Sequence, residues 1–382
     1  MRRIGIFSGS FDPIHKGHLR IIRDVLDHNL VDEVLIVPSG TAPYRKPLAD
    51  ISHLRAMAQL AIVGLSQISI TPEGLLKASL DTVDTIRAIM RHYSGAEFYY
   101  IIGADKLAGI LLWREVGRIF ELCELLVYPR VGHNAQELTL FAIIHGVRAQ
   151  VLSVPPVNMS SSLVRTQISL MADAWEMIPL RVARYIALNG LYAPPYEKQV
   201  KPHMNQRRFE HTLAVRDLAV ELAYHHHISM QKAAVAAMLH DSAKCLKLGQ
   251  LQAIAKRYHL AQDDPQMLKS NALLHGKVGA VLAEYKYQVH DEDVLNAIRY
   301  HTTGRARMSP LELCLFVADA AEANRSDYPG LSSIRLAMWD DLRRAALISL
   351  AGTQDHVLAS AQVYSQDTRL AIEDLTESLN LN

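Results

Sequence analysis

Along the first half of the chain, short apolar runs of strand length alternate with stretches whose apolar residues recur every three to four positions. Residues 2 to 8 predict a buried strand, and residues 17 to 28 a helix with Leu19, Ile22, Val25 and Leu26 on one side. Further strands are expected at 33–37, 68–70, 98–102, 122–127 and 149–154, with helices at 51–64, 82–93, 160–170 and 178–189. Strands that alternate with helices argue for a doubly wound parallel sheet whose ligands sit at the carboxyl ends of the strands.

The pattern changes after Asn189-Gly190, which ends the last helix, and Pro194-Pro195, which opens a linker. Beyond residue 200 only amphipathic helical stretches remain, near 206–224, 229–243, 249–258, 268–285, 291–300, 309–323, 331–350 and 355–378. The expected organisation is an α/β domain over 1–193, a linker over 194–202 and an all-α domain over 203–382. A length of 382 residues fits two or three domains of ordinary size.

Composition narrows the partners. With 49% hydrophobic residues and a formal net charge of +1, the chain carries neither a nucleic-acid footprint nor an acidic tail. Small molecules are the expected ligands, and self-association into a homo-oligomer is compatible with this composition. Cys123, Cys245 and Cys314 lie far apart without metal or redox spacing, which fits reduced, partly buried thiols in a cytoplasmic protein. The first apolar run is only strand-length and breaks at Ser8, so no signal peptide or membrane span is expected.

The chemistry of the first half centres on Gly9-Ser10-Phe11-Asp12-Pro13-Ile14-His15-Lys16-Gly17-His18, between the first strand and the first helix. Main-chain amides at such a helix start can cradle phosphate, and His15 and His18 project toward the same place, across Gly17. This run resembles the ATP-binding signature of the nucleotidylyltransferase superfamily, and within it the nicotinate-nucleotide adenylyltransferase family. The resemblance implies a Rossmann-like fold, attack of a substrate phosphate on the α-phosphorus of Mg²⁺-bound ATP, and transition-state stabilisation by His15 and His18. Gly9, Ser10, Phe11 and Asp105 would then serve ATP, with Trp113 stacking on the nicotinate ring. Met159-Ser160-Ser161-Ser162-Leu163-Val164-Arg165 is similar to the family's ISSTxxR segment, and gives Ser160, Ser161 and Arg165 phosphate roles. Pro179, Tyr185, Leu191 and Tyr192 resemble the family's ending, which favours nicotinate mononucleotide as acceptor. Two departures fall on the acceptor side. Tyr44 and Arg45 stand where the family has a histidine, leaving Lys46, and Asp81 replaces a tyrosine beside Thr82. No GxGxxG follows the first strand, which weighs against a hydride-transfer enzyme.

The helical half carries His211, His240-Asp241, His275, His301 and Asp319, each in or beside an apolar stretch. Imidazole and carboxylate hold Fe, Mn or Zn, and a helical bundle can converge such ligands. His240-Asp241, with Lys244 one turn onward, resembles the HD phosphohydrolase superfamily. Arg207 and His211, Leu274-His275-Gly276, Tyr300 to Gly304, and Asp319 with Glu322 and Arg325 extend this to its symmetrical diadenosine tetraphosphate hydrolases. The resemblance implies one metal on His211, His240, Asp241 and Asp319, and a second on His275 and His301 with Asp241 bridging, Fe being the first choice. Lys244 would be catalytic, and Arg207, Lys244, Arg305 and Arg325 would contact phosphate. His225, His226 and His227 do not share a helix face and are expected at the surface.

Together these point to a bifunctional enzyme that makes nicotinate adenine dinucleotide and hydrolyses diadenosine tetraphosphate to two ADP. The alternative is an adenylyltransferase for another phosphorylated acceptor, joined to a nucleotide-sensing, non-catalytic HD module.

Overall fold

The structure, a computed structural model, describes residues 1–39, 48–75, 81–107, 109–172, 174–359 and 363–380. The chain divides into two compact units, Met1–Val182 and Ala183–Asn382.

The first unit is a six-stranded sheet of β1 (Arg3–Gly9), β2 (Glu33–Pro38), β3 (Ile68–Ile70), β4 (Glu97–Gly103), β5 (Glu124–Tyr128) and β6 (Ala149–Val151). Every pairing is parallel and the order is β3-β2-β1-β4-β5-β6, the Rossmann-like arrangement expected. Alternate residues of each strand serve opposite faces. Ile4, Ile6, Leu35, Tyr100, Ile102, Leu125 and Val127 join one core cluster, while Val34, Ile36, Ile101 and Leu126 between them are also buried. The order reverses beside β1, so the carboxyl ends of β1 and β4 open the crevice that receives ligands.

The crossovers carry α1 (Lys16–Asp27), α2 (Ile51–Ala61), α3 (Thr82–His92), α4 (Ala104–Leu107), α5 (Val116–Leu122) and α6 (Ala135–Ile144), and α7 (Ser161–Ser169) follows the last strand. The division between units falls within α8 (Leu180–Leu188). On α1, Leu26 is only half-buried; Ile21 takes a core place beside Leu19, Ile22 and Val25.

The second unit is helical: α9 (Tyr196–Val200), α10 (Gln206–His225), α11 (Met230–Leu239), α12 (Leu248–Arg257), α13 (Asn271–Tyr285), α14 (Glu292–Tyr300), α15 (Pro310–Ala321), α16 (Leu331–Ala337), α17 (Leu342–Ala359) and α18 (Gln366–Asn380). The single helix expected over 331–350 is two helices. Asp341 accepts the Arg343 amide at 2.7 Å, a local cap that starts α17 afresh. The expected helix over 355–378 likewise divides between the end of α17 and α18. Among the described residues no helix is long and apolar enough to cross a membrane.

One expectation needs correction. Cys123 and Cys314 are buried, and burial pushes both thiols up to about 12, but Cys245 is exposed rather than partly buried. His225 and His227 are exposed, as expected, and His226 is half-buried; the Nε2 atoms of His225 and His226 also lie 2.7 Å from the Trp339 and Met338 carbonyls, tying the end of α10 to the turn after α16.

Gly276 lets α13 approach α14 closely. A Cβ there would lie 3.1 Å from the Arg299 carbonyl, 3.2 Å from that of Ile298 and 3.3 Å from the His301 ring. Gly276→Ala gains about 1 kcal/mol of helix propensity, but overpacking costs about 1–3 kcal/mol. The variant is therefore expected to unfold at lower urea concentration than wild type; an unchanged or higher midpoint would contradict this packing.

Candidate functional site

In the first unit β1 delivers the chain into a buried loop. The left-handed backbone falls on Phe11, with φ of 48°, rather than on Gly9, and the Phe11 ring stands edge-on to His18 at 5.0 Å. Asp12 is buried, and its carboxylate accepts the Leu48 and Ala49 amides at 2.9 and 3.3 Å. The loop ends at His15, the N-cap of α1.

The two histidines cap each other. His15 Nδ1 accepts the His18 amide at 3.3 Å, His18 Nδ1 accepts the His15 amide at 3.2 Å, and the rings stack with centroids 3.6 Å apart. Gly17 makes this possible, because a Cβ there would come within 2.8 Å of Val157 and 2.9 Å of His15 Nδ1. Burial, assisted by Arg130, lowers His15 to about 3; burial, then His15, Arg130 and Lys106, hold His18 well below the usual histidine range. Both rings are thus neutral at pH 7. With each Nδ1 accepting a hydrogen bond, each Nε2 carries the proton and can donate to an anion.

A second segment closes around this loop. Ser160 caps α7 by accepting the Leu163 amide, and Ser161 Oγ donates to the Pro13 carbonyl at 2.9 Å. Arg165 donates to the Asp12 carbonyl at 2.5 Å and to Ser162 Oγ at 3.0 Å. His15, His18, Ser161 and Arg165 therefore surround one short loop, with Gly9 and Ser10 leading into it.

Asp105, at the start of α4, is half-exposed and lies 3.5 Å from Arg130. Arg130 was not singled out from sequence. It donates to the Val157 and Met159 carbonyls, and it follows β5 as Asp105 follows β4, at a strand's carboxyl end where α/β sheets meet ligands.

At the start of α3, the Thr82 hydroxyl hydrogen-bonds Tyr100, and Trp113 is half-buried, edge-on to Tyr100 at 6.1 Å. Asp81 caps α3 through the Asp84 amide and pairs with Arg114 at 2.5 Å. Lys46, with Tyr44 and Arg45, lies outside the described residues.

In the second unit four imidazoles meet two carboxylates. His211 projects from α10, His275 from α13 and Asp319 from α15, while His240 and His301 are the C-caps of α11 and α14. Asp241 sits at the centre, 2% exposed, with Oδ2 facing Nε2 of His240 at 3.3 Å and of His211 at 3.7 Å, and Oδ1 facing Nε2 of His275 at 3.2 Å and of His301 at 3.9 Å. Asp319 Oδ1 lies 3.0 Å from His211 Nε2.

The outward nitrogens define the tautomers. Nδ1 of His240, His275 and His301 lies 2.6, 3.0 and 2.7 Å from the carbonyls of Ala237, Asn271 and Ile298, and Nδ1 of His211 lies 3.1 Å from the Glu322 carboxylate. A carbonyl or carboxylate can only accept, so Nδ1 carries a hydrogen, and a ring with a single proton turns an Nε2 lone pair inward. His275 Nε2 and His301 Nε2 are 3.0 Å apart, and among the described residues the buried Nε2 of His211 and of His240 has no hydrogen-bond partner. Lone pairs aimed at each other and at carboxylates fit a divalent cation, and the outward bonds are those that orient metal-ligating histidines. Two triads, His211–His240–Asp319 and His240–Asp241–His301, are each close enough to share an ion.

The carboxylates are held ionised. Burial opposes charge on Asp241, but His240 and His275 outweigh it; burial likewise opposes charge on Asp319, where His211 and Arg325 prevail. Lys244 Nζ lies 3.4 Å from His275, and burial lowers its pKa. Arg325 donates to Asp319 at 2.6 Å. Of the other two expected phosphate contacts, Arg207 is exposed, and Arg305 donates to Glu312 at 2.6 and 2.9 Å. Arg208, one residue on, donates to Asp241 instead.

The cytidylyltransferase-like family matches residues 6–167, and the HD domain family matches residues 208–324. The chain is 28% identical over 362 residues to a probable nicotinate-nucleotide adenylyltransferase/Ap4A hydrolase of Mycoplasma genitalium, covering 93% of this chain and 99% of that protein. Its first half is 36% identical over 198 residues to a probable nicotinate-nucleotide adenylyltransferase of Thermomicrobium roseum, which spans 50% of this chain and 92% of that protein. A further 169 residues are 38% identical to a symmetrical bis(5'-nucleosyl)-tetraphosphatase of Halalkalibacterium halodurans, spanning 44% of this chain and 89% of that protein.

The lowered pKa of His15 has a sign that can be checked. An unfolded histidine binds a proton near pH 6.5 whereas folded His15 binds one near 3, so stability is full above pH 6.5 and is lost as pH falls between these values. Asn in place of His15 offers an oxygen to the His18 amide but does not titrate. Between pH 6.5 and 5, wild type is expected to lose about 2 kcal/mol more stability than His15→Asn, measured by denaturant unfolding of the full chain. Parallel curves would contradict a neutral, buried His15.

Proposed function

Because this chain belongs to the nicotinate-nucleotide adenylyltransferase family in its first half and to the HD-domain symmetrical bis(5'-nucleosyl)-tetraphosphatases in its second, we propose that it is an enzyme with two separate nucleotide sites. The first transfers the adenylyl group of Mg²⁺-bound ATP to nicotinate mononucleotide, releasing pyrophosphate. The second hydrolyses diadenosine tetraphosphate to two ADP. The functional halves are 1–193 and 203–382, joined through 194–202, and the free thiols of Cys123, Cys245 and Cys314 suit a reducing cytoplasm.

One observation carries this reading. Every site imidazole has its Nδ1 committed, and the direction of that bond differs between the units: Nδ1 accepts in His15 and His18, and donates in His211, His240, His275 and His301. The first arrangement presents N–H donors and the second presents lone pairs.

At the first site, His15 and His18 would donate Nε2–H to triphosphate oxygens as charge shifts toward the leaving pyrophosphate. Arg165, held by Asp12 and Ser162, adds a fixed cation, and Ser160 and Ser161 bring the start of α7 to the same anion. Gly9, Ser10, Phe11 and Asp105 complete the ATP side. Thr82 and Trp113, beside Tyr100, would receive the nicotinate ring, and Lys46 its carboxylate or phosphate. Asp81 is taken up in capping α3 and pairing with Arg114, which leaves Thr82 as the nearer contact.

At the second site, His211, His240, Asp241 and Asp319 would hold one metal, and His275 and His301 a second, with Asp241 between them. The donor set suits Fe first, with Mn or Zn as alternatives. Bound metals supply a water of lowered pKa and neutralise phosphate charge. Lys244 and Arg325 reach toward the same carboxylates and would position phosphate oxygens.

Substitution separates the sites. Replacing His15 and His18 by Ala is expected to slow pyrophosphate release by about 100-fold or more, with diadenosine tetraphosphate hydrolysis unchanged, and Asp241→Asn is expected to do the reverse. Chromatographic product analysis of the full chain reads both. Loss of both activities from either change would contradict two separate sites.

A further inference from the structure

Two carboxylate oxygens of the helical unit each serve two kinds of partner. Asp241 Oδ2 faces Nε2 of His240 at 3.3 Å and of His211 at 3.7 Å, and the same oxygen accepts a hydrogen bond from Arg208 Nη1. Asp319 Oδ1 faces the same two rings at 3.9 and 3.0 Å and accepts from Arg325 Nη2 at 2.6 Å. An ion held by His211 and His240 would draw on these oxygens, so it would meet a guanidinium at each.

The two arginines differ in their anchoring. Arg325 also donates Nε to the Asp319 carbonyl at 2.7 Å, which fixes its guanidinium to its own turn. The Arg208 side chain is 30% exposed over an Asp241 that is 2% exposed, so it covers the solvent side of the buried carboxylate. Lys244 feels the charge of both Arg208 and Arg325, and its Nζ lies 3.4 Å from His275, so three cations gather about Asp241 and Asp319. Three cations around a buried and a partly buried carboxylate suit a polyphosphate.

We propose, on the strength of the two-site reading above, that Arg208 is an exchangeable partner of Asp241: a divalent cation competes with it for Oδ2, and the released guanidinium takes a phosphate oxygen of the bound nucleotide. Arg208 thus links metal loading to phosphate binding. It is a different residue from Arg207, and it reaches the site because it lies three positions before His211 on α10.

The exchange has an unusual sign. An arginine that only oriented Asp241 would, on removal, weaken the metal site. An arginine that competes with the metal does the opposite, because its removal frees an oxygen and deletes a like charge, while phosphate loses a donor.

The test is calorimetric titration of the full chain, first with Mn²⁺ and then, on Mn²⁺-loaded protein, with inorganic phosphate. Arg208→Ala is expected to bind Mn²⁺ about tenfold more tightly than wild type, and phosphate about tenfold more weakly. Arg208→Lys, which keeps the charge, is expected to return Mn²⁺ affinity toward wild type and to recover part of the phosphate binding. Weaker Mn²⁺ binding by Arg208→Ala, or unchanged phosphate binding, would overturn the exchange while leaving the two-site reading in place. A wild type that binds no Mn²⁺ would overturn the metal site itself, and the exchange with it.

Discussion

The structure depends on which way a single hydrogen bond points at the Nδ1 atom of each site histidine. A neutral imidazole has one proton for two nitrogens, so committing Nδ1 decides whether Nε2 donates or coordinates. Helix ends make that decision here. At a helix start, amide hydrogens lack partners, and His15 and His18 accept them at the start of α1. At a helix end the carbonyls lack partners, and His240 and His301 donate to them three residues back, at the ends of α11 and α14. The same side chain thus presents a hydrogen-bond donor in one unit and a lone pair in the other.

Burial makes the arrangement stringent. A solvated histidine would sample both tautomers and the charged form, but His15 is 1% exposed and His240 fully buried. In the α/β unit that burial follows from a parallel sheet covered on both faces, which sends β1 into a loop already walled by Val157 and Phe11. In the helical unit it follows from close approach of α13, where Gly276 and Gly279 bring the backbone next to α14 and the His240 carbonyl. Small residues in one element set the ring positions in another.

Much of this was legible in the sequence, and for definable reasons. Apolar periodicity gave all six strands and most helices, because both periods are enforced by burial. Sheet order was not readable, since adjacency depends on crossovers that carry no local signal. α6 escaped because it is apolar on nearly all sides, with Leu140, Ile143 and Ile144 exposed opposite Leu138 and Ala142. The break between α16 and α17 was readable in principle from Asp340-Asp341, which favours a cap, but the apolar pattern runs across it. At the sites, histidines and aspartates stood out by type. Arginines did not. Arg207 and Arg208 both lie within one turn of His211, and which one faces Asp241 is decided by how α10 packs, which carries no local signal. Arg130 carried the positional signal that marked Asp105, a charged residue just past a buried strand, but no neighbouring motif.

The inward Nε2 atoms of the helical unit gather around Asp241, an arrangement suited to divalent cations. Crystals of the full chain grown with Mn²⁺ and measured at the manganese absorption edge test it directly. The account predicts two anomalous peaks on opposite sides of Asp241, one against His211, His240 and Asp319 and the other against His275 and His301, every histidine bonding through Nε2. No peak beside Asp241, or a histidine bound through Nδ1, would contradict it.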